Sequence, residues 1–106
     1  MSIETSGTIQ AMCTVDAGGA AFLAGSKAPG FIGTANAGVG LNNLTLDQEV
    51  DQTQSAILAT PRSTVAGAAT QTLHISDSVK QVRTYVGGVL SDLAAFDCLV
   101  FRFPNL

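Results

Sequence analysis

Charge is what this chain has least of. Charged residues make up 12% of its 106 positions, where about 25% is usual for a soluble domain. A small domain standing alone covers itself with Lys and Glu, so the deficit points to a surface partly hidden by other protein. Five basic and eight acidic residues leave a net charge of −3, with no basic run. Duplex nucleic acid and anionic membrane surfaces are therefore poor partners, and no nucleic-acid binding is expected. Tryptophan is absent and aromatics amount to 6%, which argues against a stacked sugar groove within one chain. No apolar run approaches the roughly 20 residues needed to cross a bilayer, so no membrane insertion is expected. The opening MSIETSGTIQ has neither a basic n-region nor a long apolar h-region, so no signal peptide is expected and the chain is made in the cytoplasm. The two cysteines, Cys13 and Cys98, are too few for a disulfide framework or a zinc site. Without a sign of export they read as free, buried thiols acting as small hydrophobes.

What is present is period-2 alternation, and helical periodicity is scarce. In Thr8 to Val15 (TIQAMCTV), Ile9, Ala11, Cys13 and Val15 share one face of a half-buried strand. Ala21 to Ala24 reads as a short strand, Phe31 to Asn36 as a weak one, and Leu41 to Leu46 as a strand with Leu44 and Leu46 on one side. The polar connection Asp47 to Gln54 carries one apolar anchor, Val50. Ser55 to Thr60 is a strand ended by Pro61, since proline cannot donate to a ladder. Ala69 to Ser76 and Val79 to Val86 flank Asp77-Ser78 as a hairpin. Val89 to Ala94 reads as a loop or a helical turn, and Phe96 to Phe103 as the last strand. The chain is long enough for one domain and not for two. Seven to eight short strands at regular spacing predict a single all-β domain over residues 1–106, an antiparallel jelly-roll-like sandwich or small barrel, with residues 1–6 as an N-terminal arm.

The last strand, FDCLVFRF, has no wet side. Phe96, Cys98 and Val100 point one way, and Leu99, Phe101 and Phe103 the other. A sandwich strand normally sets one face on the core and one in water. A central strand covered by a loop such as Val89 to Leu93 is one explanation, and a subunit interface is the other. The interface set is then Leu99, Phe101, Arg102 and Phe103, with the Arg102 guanidinium at the end of its face reaching the rim or a carboxylate such as Asp97 of another chain.

Candidate chemistry is thin. Gly25-Ser26-Lys27 has the wrong order for a phosphate loop, and Gly38-Val39-Gly40 lacks the third glycine and the βαβ setting of a dinucleotide site. Asp47, Glu49 and Asp51 alternate in DQEVD and are the only weak candidates for a metal, Ca²⁺, although the glycine and terminal bidentate Glu of an EF-hand are missing. His74, the one histidine, lies on the polar face with Thr70 and Thr72 and has no nucleophile nearby in sequence. No catalytic residue, cofactor-binding residue or cofactor is assigned. Tyr85, the one tyrosine, and Phe22 or Phe31 are the side chains on which a sugar face could stack.

The order of features carries a resemblance. A first strand GTIQAMCTVD leads to a glycine-marked strand with Gly38, Gly40, Leu44 and Leu46. An acidic step and the hairpin TLHISDSVKQVRTY follow, then a closing segment with Asp92, Phe96, Leu99, Phe101 and Arg102. This arrangement resembles the small β-rich terminal domains of phage and prophage tail fibres and related bacterial proteins. The resemblance implies a jelly-roll-like domain, a homotrimer, and carriage in a phage-like fibre or particle. The expected function is thus a non-enzymatic structural protein whose partner is itself, with other particle or fibre proteins or a surface glycan as further partners. The alternative is a small carbohydrate- or ligand-binding β module with its site in loops or between subunits.

Overall fold

The computed structural model describes residues 7–62 and 65–104; the expected arm over residues 1–6 lies outside them. Eight strands follow in order: β1 (Thr8–Val15), β2 (Phe31–Gly38), β3 (Leu41–Leu46), β4 (Ser55–Arg62), β5 (Ala68–His74), β6 (Val79–Val86), β7 (Val89–Leu90) and β8 (Ala95–Arg102). They form an all-β sandwich of two antiparallel sheets. The narrow sheet runs β1-β8-β4, and the wide sheet runs β2-β3-β6-β5 with β7 paired to β6.

Alternation builds the core. In the narrow sheet Ala11, Cys13 and Val15 of β1 face inward beside Phe96, Cys98 and Val100 of β8 and Ile57 of β4. The wide sheet answers with Phe31, Leu44, Leu46 and Val82, and all of these are buried. Val50 anchors the polar connection in the same core. A β-bulge between Ile9 and Ala11 re-phases β1, so that Ile9 turns outward while Ala11 faces in. The two sheets meet at a corner where Thr70 and Thr72 donate their hydroxyls to the Ala59 and Ile57 carbonyls (2.9 and 3.4 Å). Those bonds cap the open edge of β4.

The turns have identifiable causes. Gly40 takes φ +70°, and a Cβ there would meet the Thr84 carbonyl at 2.6 Å and the Ser91 amide at 2.9 Å, so only glycine fits. Asp92 ties the same corner, accepting from the Gly40 amide (2.8 Å) and Asn36 Nδ2 (3.0 Å). Gly87 and Gly88, at φ +60° and +80°, close the tight β6–β7 hairpin.

Several local expectations change. Ala21 to Ala24 forms no strand; only Phe22 bridges to Val15. Pro61 does not end β4, which continues to Arg62 along β8, because an edge strand tolerates a missing donor. Val89-Leu90 is a short strand, and a single 3₁₀ turn forms at Gln52–Gln54. β8 ends at Arg102, and Phe103 leaves the ladder to donate its amide to the Gln54 carbonyl (2.8 Å).

Candidate functional site

The chain folds so that β8 lies between β1 and β4. A central strand has backbone partners on both sides, and its two faces are decided by what lies above and below the sheet. Below is the core, where Phe96 and Val100 have no exposure. Above, among the described residues, only Gly7 beside Phe101 and Lys27 and Pro29 at the groove's side approach the face. Val89 and Leu93 are themselves exposed (68% and 67%), and Val89 lies in β7 beside the wide sheet, so this segment does not cover the face.

The uncovered face follows the register. Ile9, Phe101 and Ala56 form one row, Met12, Leu99 and Leu58 the next, and Thr14, Asp97 and Thr60 the third. Ile9, Met12, Leu58 and Phe103 stand 53%, 46%, 56% and 42% exposed. The rings of Phe101 and Phe103 meet edge-to-face with centroids 6.2 Å apart, a favoured aromatic geometry. Phe101 leans onto Gly7, where any side chain would collide with its ring. Toward the other end of β8 the face sinks into an apolar groove of about 510 Å³, with Met12, Leu58 and Leu99 along it and Lys27 and Pro29 at its side. The single carboxylate in the groove is already answered. Thr14 Oγ1 donates to Asp97 (2.6 Å), and Arg62 Nε lies 3.6 Å from it.

Thus Leu99, Phe101 and Phe103 come together as the sequence predicts. Arg102 does not join them: it has the parity of Phe96, Cys98 and Val100, pairs with the buried Ser55, and turns into a cleft at the end of the sandwich. Asp97 is engaged within its own chain instead of waiting for another chain's arginine.

The outer face of the wide sheet is different in kind. Gln81 Nε2 donates to Asn43 (2.8 Å), Arg83 Nε donates to Gln81 (3.0 Å), and the Tyr85 hydroxyl donates to Gln71 (2.8 Å). Planar polar side chains there hold one another.

The acidic step gathers no metal site. Asp51 caps the 3₁₀ turn, accepting from the Thr53 amide and hydroxyl at 2.8 Å each. The amide bond first, then the hydroxyl bond, lowers its pKa. Among the described residues no three His, Cys, Asp or Glu side chains converge as metal ligands. His74 also sits otherwise than its neighbours in sequence suggest. The face it shares with Thr70 and Thr72 is the inward one, and it lies opposite Lys80 in the ladder. Its Nδ1 is buried without a hydrogen-bond partner, and burial, then the Lys80 charge, lowers its pKa. Lys80 is the residue that sequence reading missed: it is fully buried, which is rare for lysine. Its ammonium donates to the Ser76 carbonyl at 2.8 Å and toward the Val50 carbonyl at 3.5 Å. Alternation with Val82 and Thr84 on β6 was the available signal. Cys13 and Cys98 face each other in the ladder as free, buried thiols. A hydrogen bond with Cys13, then burial, pushes the Cys98 thiol far up, leaving it inert.

Compared with protein-family models, with curated proteins and with solved structures, the chain matches none.

Proposed function

We propose that this protein is a non-enzymatic structural β domain that self-associates through the outer face of the narrow sheet, as a homotrimer within a phage-like fibre or particle. The observation that carries the reading is the apolar, uncovered face above β8. Four large side chains about half exposed present roughly 300–400 Å² of apolar surface, at about 150–200 Å² per side chain. A standard interface takes about 800 Å² per partner, with an apolar share of about 65% in homodimers. With Leu99, Phe101 and Ala56 added, the face approaches that requirement. Burying three such side chains is worth roughly 5–8 kcal/mol before association entropy is subtracted.

A second copy suits this face better than a strongly charged partner, because Asp97 is engaged within the chain and Lys27 at the groove's side is the one further charge along it. Three copies suit its shape. Leu99 and Phe101 run down the middle strand, with Ile9 and Met12 on one flank and Ala56 and Leu58 on the other. Around a three-fold axis the middle rows meet at the centre, and each β1 flank meets a neighbour's β4 flank, a closed arrangement. The resemblance to tail-fibre terminal domains points the same way. Light scattering after size exclusion tests the reading: a mass near three times 10.8 kDa is expected, and a monomer at micromolar concentration overturns it.

One observation favours a second reading, a carbohydrate-binding module. The linked Asn43, Gln81 and Arg83, with Tyr85 and Gln71 beside them, offer planar donors and an aromatic ring of the kind that sugars use. A glycan array with and without Ca²⁺ tests it, and binding lost in Tyr85→Ala and Arg83→Ala variants would place the site on the wide sheet.

A further inference from the structure

The cleft that receives Arg102 joins two stretches the sequence keeps apart. Glu49, Val50, Asp51 and Gln54 come from the connection after β3, and Arg102 and Phe103 from the end of β8. Together they enclose about 350 Å³, within the size range of small-ligand sites. The Phe103 amide bond to the Gln54 carbonyl (2.8 Å) fixes the two walls against each other. Val50, packed into the core, closes the inner end of the cleft.

The charges across this cleft are separate. Among the described residues the one ion pair within 4.0 Å is Arg62–Asp97, so Arg102 closes on neither Glu49 nor Asp51. Asp51 is partly satisfied by the Thr53 amide and hydroxyl. Glu49 accepts no hydrogen bond and closes no ion pair among the described residues. Among the described residues a carboxylate and a guanidinium without an ionic partner therefore line one small cavity, with the half-exposed Phe103 ring as its apolar wall. Arg102 offers a planar fork that fits a carboxylate. Glu49 offers an acceptor for an ammonium.

We infer that this cleft binds a small zwitterion, an ammonium and a carboxylate on one short apolar frame, of which a free amino acid with an aliphatic side chain is the simplest example. The carboxylate meets Arg102, the ammonium meets Glu49 with Asp51 in the same lining, and the aliphatic part lies against the Phe103 ring. Each charge adds its own ion pair, so a half-ligand keeps only one of the two and binds more weakly.

The test is an amide NMR titration of the whole chain with leucine, isovalerate and isoamylamine. The last two each carry one of leucine's charges. Leucine is expected to shift the Glu49, Val50, Gln54, Arg102 and Phe103 signals saturably, and each half-ligand to bind roughly three- to tenfold more weakly. Glu49→Gln and Arg102→Gln are each expected to weaken leucine by a similar factor without changing the solution mass. Equal binding of all three compounds, shifts confined to the apolar groove near Leu99, or no saturable shift overturns the inference. Because the mass is read on the same samples, loss of the zwitterion site and loss of self-association are told apart.

Discussion

The outer faces of the two sheets differ at their central strands, although the wide sheet also exposes Ile32 on β2 and Val89 on β7. The wide sheet turns outward a set of amides, an arginine and a tyrosine that hydrogen-bond one another. The narrow sheet turns outward Ile9, Met12, Leu58 and the Phe101–Phe103 ring pair. Both sheets put apolar side chains into one core, so inner faces do not distinguish them. A wetted outer face is what a sandwich strand ordinarily has. The outer face above β8 is instead a contiguous apolar patch, of the kind that often marks a functional surface.

The largest effect is expected where that contrast is reversed. Phe101→Asp should yield monomer or insoluble protein by light scattering, whereas Arg83→Asp on the wide sheet should leave the mass unchanged; equal outcomes would erase the distinction between the faces. Next comes the inner face of the same strand. Phe96→Ala should lower the urea-unfolding free energy by about 3–5 kcal/mol, while Leu99→Ala, measured on monomer at high dilution, should cost far less because its pocket is open to water. A smaller effect concerns the buried cation of the wide sheet. Lys80→Met removes a desolvated charge but leaves the Ser76 and Val50 carbonyls without their donor, so stability at pH 7 should stay within about 1 kcal/mol of the parent.

The pH dependence gives this cluster its own signature. His74 and Lys80 both have pKa values below the ordinary 6.5 and 10.5. In the window just below each of those values the unfolded chain holds the extra proton, so stability rises with pH there. Acidification from pH 7 through 6.5 should lower the urea midpoint, and His74→Gln should flatten that fall. The smallest effect is expected for Arg62→Ala, since its ion pair with Asp97 is about half exposed on each side. A change of about 0.2–1 kcal/mol is expected. A loss much larger than that would mean the narrow sheet's outer face carries structural charge after all.

Much of the fold was legible because alternation is a local signal. β1, β3 and β6 begin and end where the pattern does, and β8 differs only in admitting Ala95 and releasing Phe103. The failures have local causes that were outvoted. Pro61 suggests a stop, but β4 is an edge strand and continues past it. Val89-Leu90 is too short to alternate, and only the glycine pair before it betrays a hairpin. Lys80 was missed because charge suggests exposure, whereas its strand parity with Val82 and Thr84 demanded burial and two carbonyls were at hand to receive it. Of the expected interface, Leu99, Phe101 and Phe103 share a face, while Arg102 was grouped with them by proximity in sequence and is separated from them by one step of the strand.

The amino-acid order alone decided that β8 would carry two apolar faces, because side chains on an extended chain alternate whatever surrounds them. Which face would become core and which would stay bare was decided only when β1 and β4 flanked β8 and the wide sheet closed over one side. The same long-range packing buried Lys80 and brought Glu49 and Arg102 into one cleft. No local pattern contains that outcome, since burial depends on segments far apart in the chain arriving on the same side of a sheet.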